Sequence, residues 1–440
     1  MVGFRQLALL AGIVAPWTLA HPIVDKRGSQ VIPNKYIVTL KPGASINDVK
    51  SHLSWAKDVH ARSLSVGRRD TTGVDKVYSA LDFNAYSGSF DAATVDEIRN
   101  NEQVAAVEPD MIWYLHDCPK LNGVTLNECP KLNEGPKLND VKLNDGVKLN
   151  MHPELATQSG APWGLGSISH RKPGSTDYIY DPEGGAGTYA YVIDTGVLES
   201  HVEFEGRATL GFNALASSGF DDKDNNGHGT HTAGTIASKA YGVAKKASVI
   251  SIKVFDNSGS PFSIILEGYL WAVNNITGSG RVDASVISMS LGGPRSTALN
   301  TAVQLAFGAG IPTVVSAGNE NQDANEVSPA SAPDAVTVGA IDVTNTRAPF
   351  SNWGPAVDIF APGVDVLSSY TGSDTATDVI SGTSMSAPHV AGLVLYLKSK
   401  DTNARIIDVA AKLRYFGTPG VVLDGGPGSP NLLAYNGNGA

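Results

Sequence analysis

The run Tyr189-Ala190-Tyr191-Val192-Ile193-Asp194-Thr195-Gly196 is short and apolar, and it closes on a carboxylate and a tight turn. Such a run reads as a buried strand. Further strands are predicted at Ser248–Val254, Ala284–Ser290, Thr313–Ser316 and Ala335–Ile341. Helices are predicted among and after them, at His228–Ser238, Ser263–Asn274, Ser296–Gly308 and Ser384–Lys398. This alternation implies an α/β fold with a mostly parallel sheet and helices on both faces. Ligands of such folds sit beyond the carboxyl ends of the strands. Asp194 lies at one such end, and Asn319 follows another.

Upstream lies a smaller pattern. Lys35–Leu40 alternates like a strand, Ile46–Val59 suits a helix, and Val74–Phe90 carries two β-rich stretches. Asp91 is an N-cap signature before a short helix, and Val104–Tyr114 closes the unit as a strand. The order β-α-β-β-α-β is ferredoxin-like, a small α+β unit. Between the two units Leu-Asn recurs at Leu121, Leu126, Leu132, Leu138, Leu143 and Leu149, mostly after lysine. That spacing matches neither helix nor strand, so an exposed linker is expected; short released peptides or cleavage sites are the alternative.

The first residues read as a signal peptide, with Arg5, an apolar run from Leu7 to Val14, and Thr18-Leu19-Ala20 at the cleavage end. That run is too short to span a bilayer, and no other stretch approaches the roughly 20 apolar residues required. The chain is thus expected to be secreted and extracellular, with no membrane partner. Over 440 residues the formal net charge is −10, with no long basic cluster, which argues against nucleic acid. Only Cys118 and Cys129 are present, both in the repeat segment, so the α/β part must be stable without disulfides. The expected division is 1–20 signal peptide, 21–117 small unit, 118–153 linker and 154–440 α/β unit.

Gly382-Thr383-Ser384-Met385-Ser386-Ala387-Pro388-His389-Val390-Ala391-Gly392 places a serine at the mouth of a helix walled by small residues. A serine hydroxyl needs a base and an oxyanion stabiliser before it acts as a nucleophile. His228 in Asn226-Gly227-His228-Gly229-Thr230-His231 is the candidate base, with an intrinsic pKa suited to shuttling a proton. Asp194 is the candidate to orient that imidazole, and Asn319 in Ser316-Ala317-Gly318-Asn319 to bond the oxyanion. Each has a plainer reading: a helix-capping serine, a structural histidine, a turn aspartate, a loop asparagine. A His228/His231 metal pair lacks the further ligands and the glutamate of a zinc protease. Their joint occurrence in the order acid, imidazole, serine favours catalysis.

The three motifs Asp194-Thr195-Gly196, His228-Gly229-Thr230-His231 and Gly382-Thr383-Ser384-Met385-Ser386-Ala387-Pro388 resemble the signatures of subtilisin-like serine proteases. Ala161-Pro162-Trp163-Gly164-Leu165 and the ending Asn431-Leu432-Leu433-Ala434-Tyr435-Asn436 resemble the proteinase K branch. The cysteine-free catalytic part is similar to secreted fungal alkaline proteases of the oryzin type. The resemblance covers 154–440, while 35–115 is similar to the family's inhibitory propeptide; the 118–150 insert has no counterpart. It implies a self-processing serine endopeptidase of broad specificity that prefers large apolar or aromatic P1 residues. Ser290, Leu291, Gly292 and Gly293 would pair with extended substrate, and Ser316, Ala317 and Gly318 would line the P1 pocket. It further implies a structural Ca2+ held by Asp358 and the carbonyls of Pro333 and Ala335. The family's second, weaker calcium site loses a hydroxyl ligand where Arg171 stands, and is not carried over. No cofactor is implied for catalysis.

The expected partners are protein and peptide substrates and the chain's own propeptide, acting on a monomer. The strand ending near Tyr114 should lead product-like into the active site, and related mature N-termini suggest cleavage near Met151–Glu154. Asn275-Ile276-Thr277 is an N-glycosylation sequon. The rival reading is an inactive binding or inhibitory protein on the same scaffold, but no triad member is missing. A lipase is disfavoured because no Gly-x-Ser-x-Gly elbow surrounds Ser384.

Overall fold

The computed structural model describes residues 30–65, 71–116, 155–256, 259–400 and 406–438. The signal-peptide reading, the Leu-Asn segment, Cys118, Cys129 and the cut expected near Met151–Glu154 lie outside the described residues.

The N-terminal unit runs β1 (Val31–Leu40), α1 (Ile46–Ser65), β2 (Gly73–Ala80), β3 (Phe83–Ser89), α2 (Ala92–Arg99) and β4 (Val104–Leu115). The strands pair antiparallel in the order β4-β1-β3-β2, as the ferredoxin-like pattern requires. Asp91 caps α2 by accepting from the Thr94 amide at 2.9 Å. Alternate strand residues face opposite sides of the sheet. Val38, Leu40 and Tyr86 pack with Ala56, Val95 and Ile98 of the two helices. Ile37, Phe83 and Ala85 point the other way, into a core shared with the larger unit.

That larger unit is built on a nine-stranded sheet whose centre runs Val336–Ile341, Thr313–Ser316, Ser285–Met289, Tyr189–Asp194 and Ser248–Lys253, all parallel. Tyr191 and Ile193 face the core under helices Phe262–Gly278 and Thr297–Gly308. Ala190 and Val192 face the opposite core, under helices His228–Ala237 and Thr383–Lys400. A strand buried on both faces has no polar side, which is why the sequence shows a continuous apolar run. Elements not anticipated include strand Ala208–Asn213 at one sheet edge, Ile359–Pro362 beyond the centre, the hairpin Val366–Ser369/Thr377–Ile380, and the helices Trp163–Ser169 and Ile406–Phe416.

Candidate active site

Asp194 ends its strand with the carboxylate turned to the first turn of the His228 helix. Oδ1 accepts from the Thr195 amide at 2.8 Å and from His228 Nδ1 at 2.7 Å. Oδ2 takes a longer bond from Thr232 Oγ1 at 3.4 Å. A carboxylate that only accepts holds the imidazole proton on Nδ1. Asp194 and His228 are each 1% exposed, so water cannot compete for this bond. The helix can start at His228 because Gly227 turns with φ of 103°, where a Cβ would lie 2.4 Å from the Tyr370 ring.

Asp224 was not singled out from the sequence, yet it ties these two loops together. Its Oδ1 accepts from Thr195 Oγ1 at 2.8 Å and from the Gly227 amide at 2.8 Å. Its Oδ2 accepts from the Thr230 amide at 2.9 Å and from the Thr230 hydroxyl at 2.6 Å. One buried acid thus fixes the turn after Asp194 to the first turn of the His228 helix. The available signal was an aspartate four residues ahead of a helix-initial histidine.

Ser384 is the second residue of its helix, which packs directly on the His228 helix. It is not a cap: its hydroxyl donates to the Ser290 carbonyl at 3.0 Å. Pro388, one turn later, has no N–H to give the Ser384 carbonyl. That carbonyl instead accepts from Ser290 Oγ at 2.9 Å, which locks the serine turn to the strand beside it. Asn319 is clamped from behind. Its Oδ1 accepts from the Thr383 amide at 3.0 Å and the Thr383 hydroxyl at 2.8 Å, so Nδ2 must point into the cleft.

A carbonyl occupies that cleft. The His116 oxygen accepts from Asn319 Nδ2 at 2.5 Å and from the Ser384 amide at 3.2 Å. His116 directly follows β4, whose end is bracketed by two strands of the larger unit. Ile112, Trp113 and Tyr114 pair antiparallel with Pro261, Ser260 and Gly259. Tyr114 and Leu115 pair with Gly292 and Leu291 on the other side. Trp113 fills a pocket stacked on Phe262, ring centroids 4.6 Å apart, and a Cβ on Gly293 would lie 2.5 Å from its ring. The His116 imidazole sits beside Ser316, Nδ1 to Oγ 2.7 Å. Sequence reading placed Ser290–Gly293 and Ser316 here but missed the opposite wall, Gly259–Phe262.

Residues 185–414 match the subtilase family, and residues 35–116 match peptidase inhibitor I9. The chain belongs to the subtilase family. This subtilase is 54% identical over 444 residues to subtilisin-like proteinase Mp1 of Magnaporthiopsis poae, across 99% of each chain. It is 50% identical over 440 residues to the alkaline proteinase of Hapsidospora chrysogena, across 100% of each. Among solved structures it resembles a cold adapted subtilisin-like serine proteinase, with TM-score 0.59 and 38% identity, covering 63% of this chain and 99% of that one. The subtilase is accordingly a serine endopeptidase made as a zymogen, with the N-terminal unit as its inhibitory propeptide. The inhibitor match ends at residue 116, whose carbonyl lies between Asn319 and Ser384.

The other sequence-predicted positions scatter. The Gly318 amide donates at 3.2 Å to Thr383 Oγ1, the hydroxyl that also holds Asn319, and Asn352 Nδ2 donates to the Ala317 carbonyl at 2.9 Å. His231 is structural, its Nε2 bonded to the Val366 carbonyl at 3.0 Å. Asn275 is in the helix Phe262–Gly278, and its side-chain carbonyl accepts from Tyr191 at 2.8 Å. Arg171 bonds Thr418 Oγ1 at 3.2 Å and lies over the Tyr435 ring. Asp358 Oδ2 accepts from the Thr337 amide at 2.9 Å, and burial pushes its carboxyl up to about 6. No cluster of three metal-ligating side chains occurs among the described residues, and no helix there is long and apolar enough to cross a membrane.

Proposed function

We propose that this subtilase is secreted and acts as a monomer on extended segments of protein, with Ser384 as nucleophile and His228 as base. The observation that carries the reading is the His116 carbonyl, held by Asn319 and by Ser384 on a helix that packs against the one opened by His228, itself bonded to a buried acid. In the reaction, the Ser384 hydroxyl turns from the Ser290 carbonyl toward His228 Nε2 and gives up its proton as Oγ attacks the carbonyl carbon. Asn319 Nδ2 and the Ser384 amide take the oxyanion, the part of such a site where preorganised donors matter most. Asp194 keeps the ring oriented and stabilises its charged form. His228 then protonates the leaving amine, and water hydrolyses the ester by the reverse steps.

Strand addition at Gly259–Pro261 and Leu291–Gly292 makes recognition largely a matter of backbone, which supports broad specificity. Large apolar or aromatic residues at P1 belong to the same reading, as does an aromatic residue at the Trp113 position, P4. Converting Ser384 to alanine is expected to leave an unprocessed precursor, whereas wild-type mature protein should take up a serine-directed phosphonate on Ser384. An inactive scaffold would show no adduct and no hydrolysis of casein.

The same reading includes a structural Ca2+ at Asp358. The donors, one carboxylate with the carbonyls of Pro333 and Ala335, are all oxygen, as that ion prefers. Asp358 is half-buried, and the one cation acting on its charge, Arg414, does so from a distance. Chelation is expected to lower the Tm of the mature enzyme by several degrees, and Asp358→Asn to abolish the increment that added calcium restores; equal Tm values with and without chelator would remove calcium from this reading.

A further inference from the structure

We propose that Lys253 is a positioning residue for the reaction. Its buried ammonium ties the turn after Asp194 to the segment that carries Asp224, and so holds the acid against the His228 imidazole. The inference rests on the reading of His228 as base. Lys253 ends the strand Ser248–Lys253, within the otherwise largely apolar run Val249-Ile250-Ser251-Ile252-Lys253-Val254-Phe255. It pairs in register with Asp194 on the neighbouring parallel strand. The residue is 0% exposed, and a lysine is almost never buried so fully unless its charge is met.

Three acceptors meet that charge. Nζ donates to the Thr195 carbonyl at 2.9 Å, to the Lys223 carbonyl at 2.9 Å and to Asp256 Oδ1 at 3.1 Å. Together they use every N–H of an ammonium. Asp256 lies toward the surface, its side chain 18% exposed, and Asn225 Nδ2 holds the same oxygen at 3.1 Å. The two carbonyls bear on the reaction, because Thr195 directly follows Asp194 and Lys223 directly precedes Asp224. On its other side Thr195 is fixed by its hydroxyl, which donates to Asp224 and accepts from the Gly229 amide at 2.9 Å. The Asp194 carbonyl in turn accepts from the Val254 amide at 2.8 Å. Two successive carbonyls, of Asp194 and Thr195, are thus anchored to the same strand end.

Replacing the ammonium by an apolar group of similar length removes a donor from two carbonyls at once. The turn is then free to shift, and with it the 2.7 Å bond between Asp194 and His228. A displacement of about 1 Å in a catalytic pair costs about a hundredfold in rate. Extended substrate pairs with Gly259–Pro261 and Leu291–Gly292, segments that the Lys253 side chain does not bond, so binding should be spared.

The test is mature Lys253→Met enzyme, with active centres counted by phosphonate titration, assayed on a Trp-Tyr-Leu-Phe anilide. Its kcat should fall about a hundredfold while KM stays within about twofold of wild type. In the proton NMR spectrum of the phosphonate adduct, the low-field resonance of the His228 Nδ1 proton should move upfield or vanish by exchange. A purely structural lysine gives the opposite result: a lower Tm with kcat and that resonance unchanged, which overturns the proposal. A raised KM with unchanged kcat overturns it as well. Should the precursor fold yet not cut itself, tagged wild-type enzyme releases the mature variant and is removed before assay. Should Lys253→Met not fold, Lys253→Gln keeps two donors on a slightly shorter side chain, and about a tenfold loss of kcat with a displaced resonance is expected. Wild-type values of both in that variant overturn the proposal. Labelling of the wild-type enzyme keeps the two readings apart: an absent Ser384 adduct strikes at the nucleophile and base, while a labelled wild type beside an unimpaired variant strikes only at Lys253.

Discussion

A single asparagine shows how narrowly a functional side chain is held. Two Thr383 donors occupy Asn319 Oδ1, so the amide can present only Nδ2 to a carbonyl in the cleft. Asn319→Ala is therefore expected to lower kcat by about 10²–10³ with little change in KM, the loss already known for the matching amide of subtilisin. A fall in KM-dependent binding instead of kcat would assign the residue to ground-state recognition. Asp194, His228, Ser384 and Asn319 were legible because each sits in a short motif with glycine or small neighbours that only a close approach explains. Asp224 was passed over, because its partners come from two separate segments and its one local mark is its place four residues ahead of His228.

At the scale of elements, the propeptide grips the enzyme through helix ends as well as through strands. Glu108 takes the first amides of the helix Thr297–Gly308, and Asp110 takes the amide of Ser263 at the start of Phe262–Gly278. Unpaired amides and the helix dipole both favour a carboxylate there. Glu108→Ala in a propeptide added in trans should raise its inhibition constant about tenfold or more, measured against mature enzyme. An unchanged constant would mean that strand pairing alone carries the affinity. The central strands and the long helices were readable to within a few residues, since burial on both faces leaves a strand as a continuous apolar run and burial of one face stamps a period on a helix. The edge strand Ala208–Asn213 is exposed at Thr209 and Leu210 and so lacks an unbroken apolar run, and Ile359–Pro362 ends on a proline that reads against a strand.

For the whole molecule, the two cores on opposite faces of the sheet carry stability without a disulfide, since both cysteines precede the catalytic part. Those cores also bury groups that titrate. Burial pushes His231 down to about 3 and His389 to about 4, from an ordinary 6.5. Unfolding lets them take up protons, so this stability is present above about pH 6.5 and is lost as pH falls toward 4 and 3. Burial likewise lowers Lys245 to about 7 and Lys398 to about 8, from 10.5. Their contribution grows as pH rises from about 7 toward 10.5, where the unfolded lysines still hold protons. The Tm of phosphonate-inactivated mature enzyme should thus climb from about pH 4 and keep climbing to about pH 9. Lys245→Met should flatten the alkaline limb; an equally steep limb in that variant would place its origin elsewhere.

Periodicity and motifs pointed to two units, a parallel sheet, and Asp194, His228, Ser384 and Asn319 as the candidate acid, imidazole, alcohol and amide. These are local properties, fixed by side-chain spacing along one segment at a time. The strand ending near Tyr114 was expected to lead into the cleft, but the residue that fills it and the contacts that hold it were decided only in three dimensions. That His116 lies against Ser316, that Trp113 finds Phe262, and that Glu108 reaches a helix almost two hundred positions away depend on how the propeptide sheet docks. Docking is set by shape and hydrogen bonding between distant surfaces, and no spacing within a single segment encodes it.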